Sequence, residues 1–121
     1  MLEGILAEHR RRGASAKFYA LLERDGEPAG YAMYRVKHDW EVGESRNEVR
    51  VLEAFAVDPA ATRDVWQYLL SIDLMDRLIV RLGPPDQPLL LQLTQPELLG
   101  LKISDGLWLR ILDVPAALGQ R

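Results

Sequence analysis

The apolar residues of this chain change their spacing at Asp58-Pro59, and this change limits the folds that the chain can adopt. Before it, residues 17–24, 29–37 and 47–57 alternate between apolar and polar positions, which is typical of β-strands. After it, an apolar stripe at helical spacing runs to about residue 74, with Asp58 as N-cap and Pro59 as the first helical residue. The sequence therefore predicts a domain that combines strands with helices.

Turn chemistry joins the strands and orders the rest of the chain. Asp25-Gly26-Glu27-Pro28 predicts a hairpin between the first two strands, and the polar interval 38–46 indicates a loop before the third. On one face of that third strand we expect Val49, Val51, Phe55 and Val57. At the start of the chain the pattern predicts an amphipathic helix over 2–12. After the central helix it predicts a short buried strand over 78–82 and a short helix over 89–93 that begins at Pro88. The last part of the chain is predicted to form a hairpin of 101–103 with 107–112 around Ser104-Asp105-Gly106, followed by a helix from Val114.

Length and composition restrict the size of the fold and the kinds of partner. With 121 residues, of which 48% are hydrophobic and 27% charged, residues 1–121 are expected to form a single domain. The elements predict the α+β class, with a mixed, mostly antiparallel sheet flanked by helices. A net charge of -3 argues against nucleic acid as a partner, and no apolar run reaches the ~20 residues of a membrane span. Since the chain has no cysteine, we expect a cytoplasmic protein.

Few residues offer catalytic chemistry. Glu53 lies in a strand that we expect to be buried, where its pKa would be raised and it could act as a base; the alternative is a hydrogen-bonded or strand-edge glutamate. His9 and His38 lie on a polar helix face and in a polar loop, without other ligands at metal-binding spacing. We therefore assign no catalytic residue and no metal ligand to this chain.

Two stretches bear on phosphate binding. Arg10-Arg11-Arg12-Gly13-Ala14-Ser15 has the arginine and glycine of a pyrophosphate-binding loop, but such a loop must open a helix, and here a strand follows. The stretch that does open a helix, residues 58–63, has no glycine and carries Asp58 where an anion would sit. We therefore predict a solvated basic helix end at 10–15 and no cofactor-binding residue at 58–63.

The C-terminal part of the chain resembles one particular family. Asp105-Gly106-Leu107-Trp108-Leu109-Arg110-Ile111-Leu112-Asp113-Val114-Pro115-Ala116-Ala117-Leu118 is similar to the DGLW-x-R-x-x-DVPAAL motif of the Eis (enhanced intracellular survival) acetyltransferases. Gly30-Tyr31-Ala32-Met33-Tyr34-Arg35-Val36, Trp66-Gln67-Tyr68-Leu69-Leu70-Ser71-Ile72-Asp73-Leu74 and the proline break before Leu89 resemble the family in the same order. The resemblance covers residues 17–118 and implies the GNAT fold. Of the three domains of these longer proteins, this chain resembles only the central, GNAT-like one.

The resemblance implies that the chemistry lies in other domains. In the family, the coenzyme loop and a proposed tyrosine acid belong to the first, catalytic GNAT domain, and a proposed terminal carboxylate base belongs to the third, sterol-carrier-like domain. None of these groups maps onto this chain. Acetyl-CoA would be the cofactor of the whole enzyme, with none bound by this segment, and polycationic amines such as aminoglycosides would be its substrates. Asp113 is the residue that we expect to line the acidic substrate pocket, with a helix N-cap before Pro115 as the alternative.

Three functions are consistent with these features. The first is a non-catalytic central domain of an Eis-like N-acetyltransferase, which scaffolds the flanking catalytic GNAT and sterol-carrier-like domains in a homo-oligomer. The second is a small acyltransferase with an atypical coenzyme site and Glu53 as base. The third is a stand-alone GNAT-like dimerisation or ligand-binding module. We also expect self-association through apolar surface that neighbouring domains would otherwise cover.

Overall fold

A computed structural model describes residues 13–119 of the chain. Its elements in chain order are β1 (Phe18–Arg24), β2 (Glu27–Lys37), β3 (Trp40–Glu41), β4 (Glu44–Ser45), β5 (Glu48–Ala56), α1 (Pro59–Leu70), β6 (Arg77–Val80), α2 (Leu89–Gln92), a 3-10 turn (Pro96–Leu99) and α3 (Val114–Gly119). The types and order of the main elements as far as α2 confirm the sequence prediction. The helix predicted over 2–12 lies outside the described residues.

The main sheet is mixed and mostly antiparallel, with the strand order β1-β2-β5-β6. The first three of these strands pair antiparallel, while β6 pairs parallel to β5. β3 and β4 form a separate two-residue ladder inside the interval that the sequence indicated as a loop. α1 packs on one face of the main sheet, here called the inner face. This is the predicted α+β architecture.

The β1–β2 hairpin turns on two residues with positive φ. Asp25 has φ 55° and Gly26 has φ 81°, and the strands resume pairing at once with Arg24 opposite Glu27. Two consecutive positive φ angles match the right-handed twist of the flanking strands, and an Asp-Gly pair adopts them readily. The turn chemistry therefore predicted this hairpin correctly.

Aromatic and aliphatic side chains fill the space between the inner face and α1. The buried core cluster consists of Ala32, Tyr34, Val36, Val49, Val51, Val65, Trp66 and Leu69. Tyr34 stacks on Phe18 at a centroid distance of 5.5 Å, and its hydroxyl lies 2.8 Å from that of Tyr68 on α1. Burial, followed by the contact with Tyr68, raises the pKa of Tyr34 to about 12. The hydroxyl therefore stays protonated in the core, where a phenolate would be poorly solvated.

β5 contains one extra residue, Leu52. Glu53 and Val51 pair with consecutive residues of β2, so Leu52 between them forms a β-bulge. Before the bulge Val51 points to the inner face and is buried, whereas beyond it Phe55 points to the outer face and is 58% exposed. The prediction that Val49, Val51, Phe55 and Val57 share one face was wrong, because one inserted residue inverts the alternation of every residue after it.

Asn47 holds the start of β5 and the start of β6 together. Its side-chain oxygen accepts from the Asp39 amide at 3.0 Å, and its side-chain nitrogen donates to the Leu74 carbonyl at 2.8 Å. Its backbone N–H donates to the Asp76 carboxylate, and its carbonyl accepts from the Asp76 and Arg77 amides. The residue is only 1% exposed, and both ends of its side-chain amide are satisfied. A polar residue inside this part of the fold thus fixes the beginning of the parallel strand pair.

The predicted hairpin over 101–112 is absent from the structure. Residues 101–113 form no strand, and Trp108 in their middle is 83% exposed. The Asp-Gly pair favours a two-residue turn, but a hairpin of this length needs an apolar surface to pack on, and an isolated pair of strands is only marginally stable in water. Within residues 13–119 the segment 101–112 has no apolar surface to pack on, so the turn preference of Asp105-Gly106 is not sufficient to form the hairpin.

At Gly30 the sheet lies close to α1. A Cβ atom added there would lie 2.9 Å from the Phe55 carbonyl oxygen and 3.0 Å from a Val65 methyl group. We expect Gly30→Ala to lower the free energy of unfolding by about 1–3 kcal/mol, because the backbone and the helix must move apart. Urea unfolding measures the change.

Gly106→Ala is the matched control, because a Cβ at Gly106 meets nothing within 4 Å. This variant should stay within about 0.5 kcal/mol of the unmodified chain. Equal destabilisation by the two substitutions would contradict the close helix–sheet contact at Gly30.

Candidate functional site

A cleft opens where β5 continues beyond its partner β6. The two strands pair only from Glu48 with Arg77 to Val51 with Val80, and β5 then runs on to Ala56. The bulge at Leu52 lies directly after the last paired residue, so the twist that it adds falls where the strands separate. The cleft has a volume of about 260 Å³ and lies between the end of β5, α1 and the loop before α2.

The cleft is apolar and contains no acid or base. Its lining residues are Ala54, Phe55, Ala56, Thr62, Val65, Trp66, Pro84, Gln87 and Pro88. The polar side chains among them are Thr62 and Gln87, and the Thr62 hydroxyl already donates to the Asp58 carbonyl at 2.9 Å. The lining can therefore hold an apolar group, but it offers no group that titrates near neutral pH and so no proton transfer.

The N-terminus of α1, beside this cleft, is capped by the carboxylate of Asp58. Asp58 is the N-cap and accepts a hydrogen bond from the Ala61 amide at 2.7 Å, and Pro59 follows as the first helical residue. The first turn of a helix presents unpaired amides and a positive dipole end, which together attract anions. Here the Asp58 carboxylate already occupies that position, as the sequence predicted.

Arg24 from the end of β1 neutralises the same carboxylate. Its guanidinium donates to the second oxygen of Asp58 at 2.8 Å and lies 4.0 Å from Asp64. The hydrogen bond from the Ala61 amide, followed by that from Arg24, lowers the pKa of Asp58, and Asp58 in turn raises the pKa of Arg24. Sequence reasoning found Asp58 but not Arg24, since 34 residues separate the partners and no local pattern links them.

Gln92 of α2 was also missed by the sequence analysis. Its side-chain nitrogen donates to the Pro59 carbonyl at 2.7 Å, so α2 is tied to the first turn of α1. A short apolar stretch after a proline predicted the helix but not this contact, because nothing in the local pattern singles out the glutamine.

Glu53 lies on the outer face of the sheet and not in the cleft. It is exposed, and its carboxylate accepts a hydrogen bond from the Tyr31 hydroxyl at 2.8 Å. This hydrogen bond raises the pKa of Tyr31. The expectation that Glu53 is buried was wrong, because the bulge at Leu52 turns it outwards; the alternative of a hydrogen-bonded glutamate is confirmed.

The basic stretch 10–15 does not open a helix in its described part. The Ser15 amide donates to the Val36 carbonyl of β2 at 2.8 Å, and β1 follows three residues later. Because the Ser15 amide is already hydrogen-bonded to β2, it does not donate to a phosphate. Arg10 to Arg12 lie outside the described residues.

Of the two histidines, His38 is the one within the described residues. His38 is exposed between β2 and β3, and His9 falls outside residues 13–119. Within those residues, no group of three acidic or histidine side chains is placed to hold a metal ion. Within the same range, no helix has the length and hydropathy to cross a bilayer.

Asp113 caps the short helix α3. Its carboxylate accepts from the Ala116 amide at 3.0 Å, and its carbonyl accepts from the Ala117 amide at 3.1 Å. The N-cap alternative is therefore confirmed for Asp113. The side chain is exposed and does not line the cleft beside α1.

Comparison with known proteins places the chain in a family. The profile of the acetyltransferase (GNAT) domain family matches residues 3–111, so the chain belongs to this family. A mutant protein of Bacillus halodurans has a similar fold, with a TM-score of 0.50 at 11% identity over 89% of this chain and 73% of its own. The mixed, mostly antiparallel sheet flanked by helices is therefore a GNAT fold, as expected from the sequence.

The curated relatives are much longer than this chain. An uncharacterized N-acetyltransferase of Streptomyces avermitilis is 40% identical over 94% of the chain, which corresponds to 28% of the relative. The N-acetyltransferase Eis of Mycobacterium tuberculosis is 39% identical over 90% of the chain, which corresponds to 25% of the relative. The chain thus spans about a quarter of the length of the relatives that it matches.

The helix N-terminus at Asp58 does not suit a coenzyme pyrophosphate. A phosphate there would meet the Asp58 carboxylate, which holds the Ala61 amide and the Arg24 guanidinium. Binding would have to displace a hydrogen-bonded anion and break an ion pair. The lining residues of the apolar cleft include no cation that could offset this cost by binding the phosphate.

We expect Asp58→Ala to lower the melting temperature at pH 7, because α1 loses its cap and Arg24 loses its partner. The folded pKa of Asp58 is lowered, so its stabilising contribution is present above the ordinary carboxyl pKa of about 3.9 and is lost as the pH falls through the lower folded pKa. The difference between variant and unmodified chain should therefore shrink below about pH 4. Thermal unfolding followed by circular dichroism from pH 2 to 7 measures both effects.

Asp64→Ala is the control, since Asp64 lies inside the same helix and its contact with Arg24 is the longer one, at 4.0 Å. It should change the melting temperature less than Asp58→Ala at pH 7. A constant difference between Asp58→Ala and the unmodified chain down to pH 2 would contradict the capping role.

Proposed function

We propose that this chain is the central, non-catalytic GNAT-like domain of a longer, Eis-like, acetyl-CoA-dependent N-acetyltransferase. Its role is to scaffold the flanking catalytic GNAT and sterol-carrier-like domains and to line the substrate pocket. The observation that carries the proposal is the N-terminus of α1, where the Asp58 carboxylate accepts a hydrogen bond from the Ala61 amide and is paired with the Arg24 guanidinium, so an anion of the chain itself already occupies the position of a coenzyme phosphate. The apolar cleft without an acid or base supports the same reading.

The relatives support a role within a longer polypeptide. The chain matches 25–28% of their length, which leaves room for other domains that could carry coenzyme binding and proton transfer. Sequence identity of 39% to a protein named N-acetyltransferase Eis supports the finer assignment within the GNAT family. The blocks 30–36, 66–74 and 105–118 resemble the Eis family in order.

The proposed substrates are amines of polycationic molecules of the aminoglycoside type. A pocket for such molecules needs carboxylates, and Asp113 is an exposed carboxylate that α3 holds in a fixed position. In the proposal, Asp113 lines the pocket together with surface of a neighbouring domain. A cytoplasmic homo-oligomer is part of the same proposal.

The alternative of a small acyltransferase with Glu53 as base receives no support from the geometry. Glu53 lies on the outer face of the sheet, while the cleft next to α1 opens on the inner face. The third alternative, a stand-alone dimerisation or ligand-binding module, shares the non-catalytic role and differs in lacking partner domains.

Titration of the 121-residue chain with acetyl-CoA tests the non-catalytic role. We expect a dissociation constant weaker than about 1 mM by isothermal calorimetry at low salt, because Asp58 repels the pyrophosphate and no lining residue of the cleft attracts it. Cooperative thermal unfolding of the same sample shows that the protein is folded. Micromolar binding would contradict the proposal.

Asp58→Gly serves as the comparison in that titration. It removes the carboxylate and leaves Arg24 beside the helix amides, so any residual affinity should increase. If the unmodified chain binds acetyl-CoA and Asp58→Gly has the same affinity, the coenzyme binds elsewhere, and Asp58 does not control its binding.

Asp113→Asn tests the pocket in the longer polypeptide that the proposal implies. We expect KM for an aminoglycoside to rise about fivefold with little change in kcat, because one exposed carboxylate contributes roughly 1 kcal/mol to binding a cation. Asp105→Asn makes the same change eight residues earlier in the chain and should leave KM unchanged. Equal effects of the two substitutions would remove Asp113 from the pocket.

A further inference from the structure

The chain contains the pair Asp-Gly twice, in two different backbone states. Asp25-Gly26 forms the turn of the β1–β2 hairpin, and both residues have positive φ, at 55° and 81°. Asp105-Gly106 lies in residues 101–113, which form no strand or helix, and neither member of this pair has a positive φ. Both pairs are exposed, and a Cβ atom added at either glycine meets nothing within 4 Å. The two pairs therefore differ in how the backbone is held and not in their access to water.

An aspartate that is followed by glycine can react with its own backbone. The amide nitrogen of the glycine attacks the side-chain carboxyl carbon, a C–N bond forms, and one oxygen leaves as water. Water then opens the five-membered succinimide ring. Attack at the original backbone carbonyl leaves the chain running through the side chain as isoaspartate, and attack at the other carbonyl restores aspartate. One water leaves and one enters, so no other reactant is required, and glycine hinders the first step least because it has no Cβ.

The β1–β2 hairpin opposes this attack at Asp25. The glycine nitrogen must turn towards the side-chain carbon, which requires rotation about the Cα–C bond of the aspartate. Asp25 is held in the left-handed conformation that this type of turn requires, and the pairing of Arg24 with Glu27 closes the turn directly around it. Rotation at that bond would separate the two strands. Asp25 therefore reacts only when the hairpin opens.

Asp105 lies in a stretch without such pairing in the part of the chain that the structure describes. Residues 101–113 belong to no strand ladder, so rotation about the Cα–C bond of Asp105 breaks no sheet hydrogen bond. The two residues after the pair, Leu107 and Trp108, are 77% and 83% exposed, so the same rotation removes little packing. Asp105-Gly106 can therefore reach the reactive geometry while the domain stays folded.

We propose that Asp105-Gly106 is a site of spontaneous isoaspartate formation in the folded chain, whereas Asp25-Gly26 is protected by its hairpin. The product keeps a carboxylate, carries it on Cα and has one more methylene group in the backbone. The inference goes beyond the proposed function and does not rest on it, because the reaction needs only water and residues of this chain.

Incubation of the 121-residue chain at neutral pH, below its unfolding temperature, tests the proposal. Trypsin cleaves after lysine and arginine and so releases the two pairs in separate peptides, residues 25–35 and 103–110. Isoaspartate leaves the peptide mass unchanged, shifts its chromatographic retention and blocks cleavage by a protease specific for aspartate. We expect isoaspartate to form at least about tenfold faster in 103–110 than in 25–35, because a hairpin that costs about 1.4 kcal/mol to open already gives that factor. Equal rates in the folded chain would overturn the proposal.

The same incubation in concentrated urea separates the effect of the fold from that of the neighbouring sequence. Both pairs then lie in an unfolded chain, so we expect the two rates to agree within about threefold. A tenfold difference that persists in urea would also overturn the proposal, because the residues next to each pair, and not the hairpin, would then determine the rate.

Gly106→Ala tests the chemical route at the site itself. A methyl group beside the attacking nitrogen hinders ring closure and restricts the backbone, so isoaspartate in 103–110 should form about tenfold more slowly. A Cβ at this position meets nothing within 4 Å, so the variant keeps the fold and a lower rate reports on the reaction alone. An unchanged rate in Gly106→Ala would contradict attack by the Gly106 nitrogen.

Discussion

The single residue that β5 carries in excess, Leu52, determines the direction of the side chains that follow it in that strand. Up to Val51 the strand buries its apolar residues against α1 and pairs with β6. From Glu53 onwards the alternation is inverted, so Glu53 and Phe55 point away from α1 and the strand leaves β6. The cleft, the exposed glutamate and the exposed phenylalanine all follow from this bulge.

The N-terminus of α1 combines a helix cap with a position that would otherwise attract an anion. A side-chain N-cap stabilises a helix, and a carboxylate is among the best groups to provide it. A carboxylate at that position also repels phosphate, and Arg24 fixes it there through an ion pair from another strand. The same interaction that stabilises the helix thus places a carboxylate at the amides of its first turn.

The sequence predicted the parts of the fold that depend on local chemistry. The Asp25-Gly26 hairpin, the start of α1 at Asp58-Pro59 and the start of α2 after Pro88 follow from backbone preferences of neighbouring residues, and the structure confirms all three. Asp58 could be identified for the same reason. The bulge at Leu52 and the bridge from Arg24 to Asp58 depend on contacts across the sheet, which a single sequence does not display. The hairpin over 101–112 failed for a related reason, since a local turn preference forms strands only where a surface is available to cover them.

Asn47 lies at the junction between the buried core and the edge strand β6. β2, the buried half of β5 and α1 supply the buried core, whereas β6 contributes only the partly buried Leu78, pairs through four residues and is held at its start by the hydrogen bonds of Asn47. Elements with few buried contacts open first in native proteins, at a free energy below that of global unfolding. We therefore expect the amide hydrogens of β6 to exchange for deuterium before those of β2.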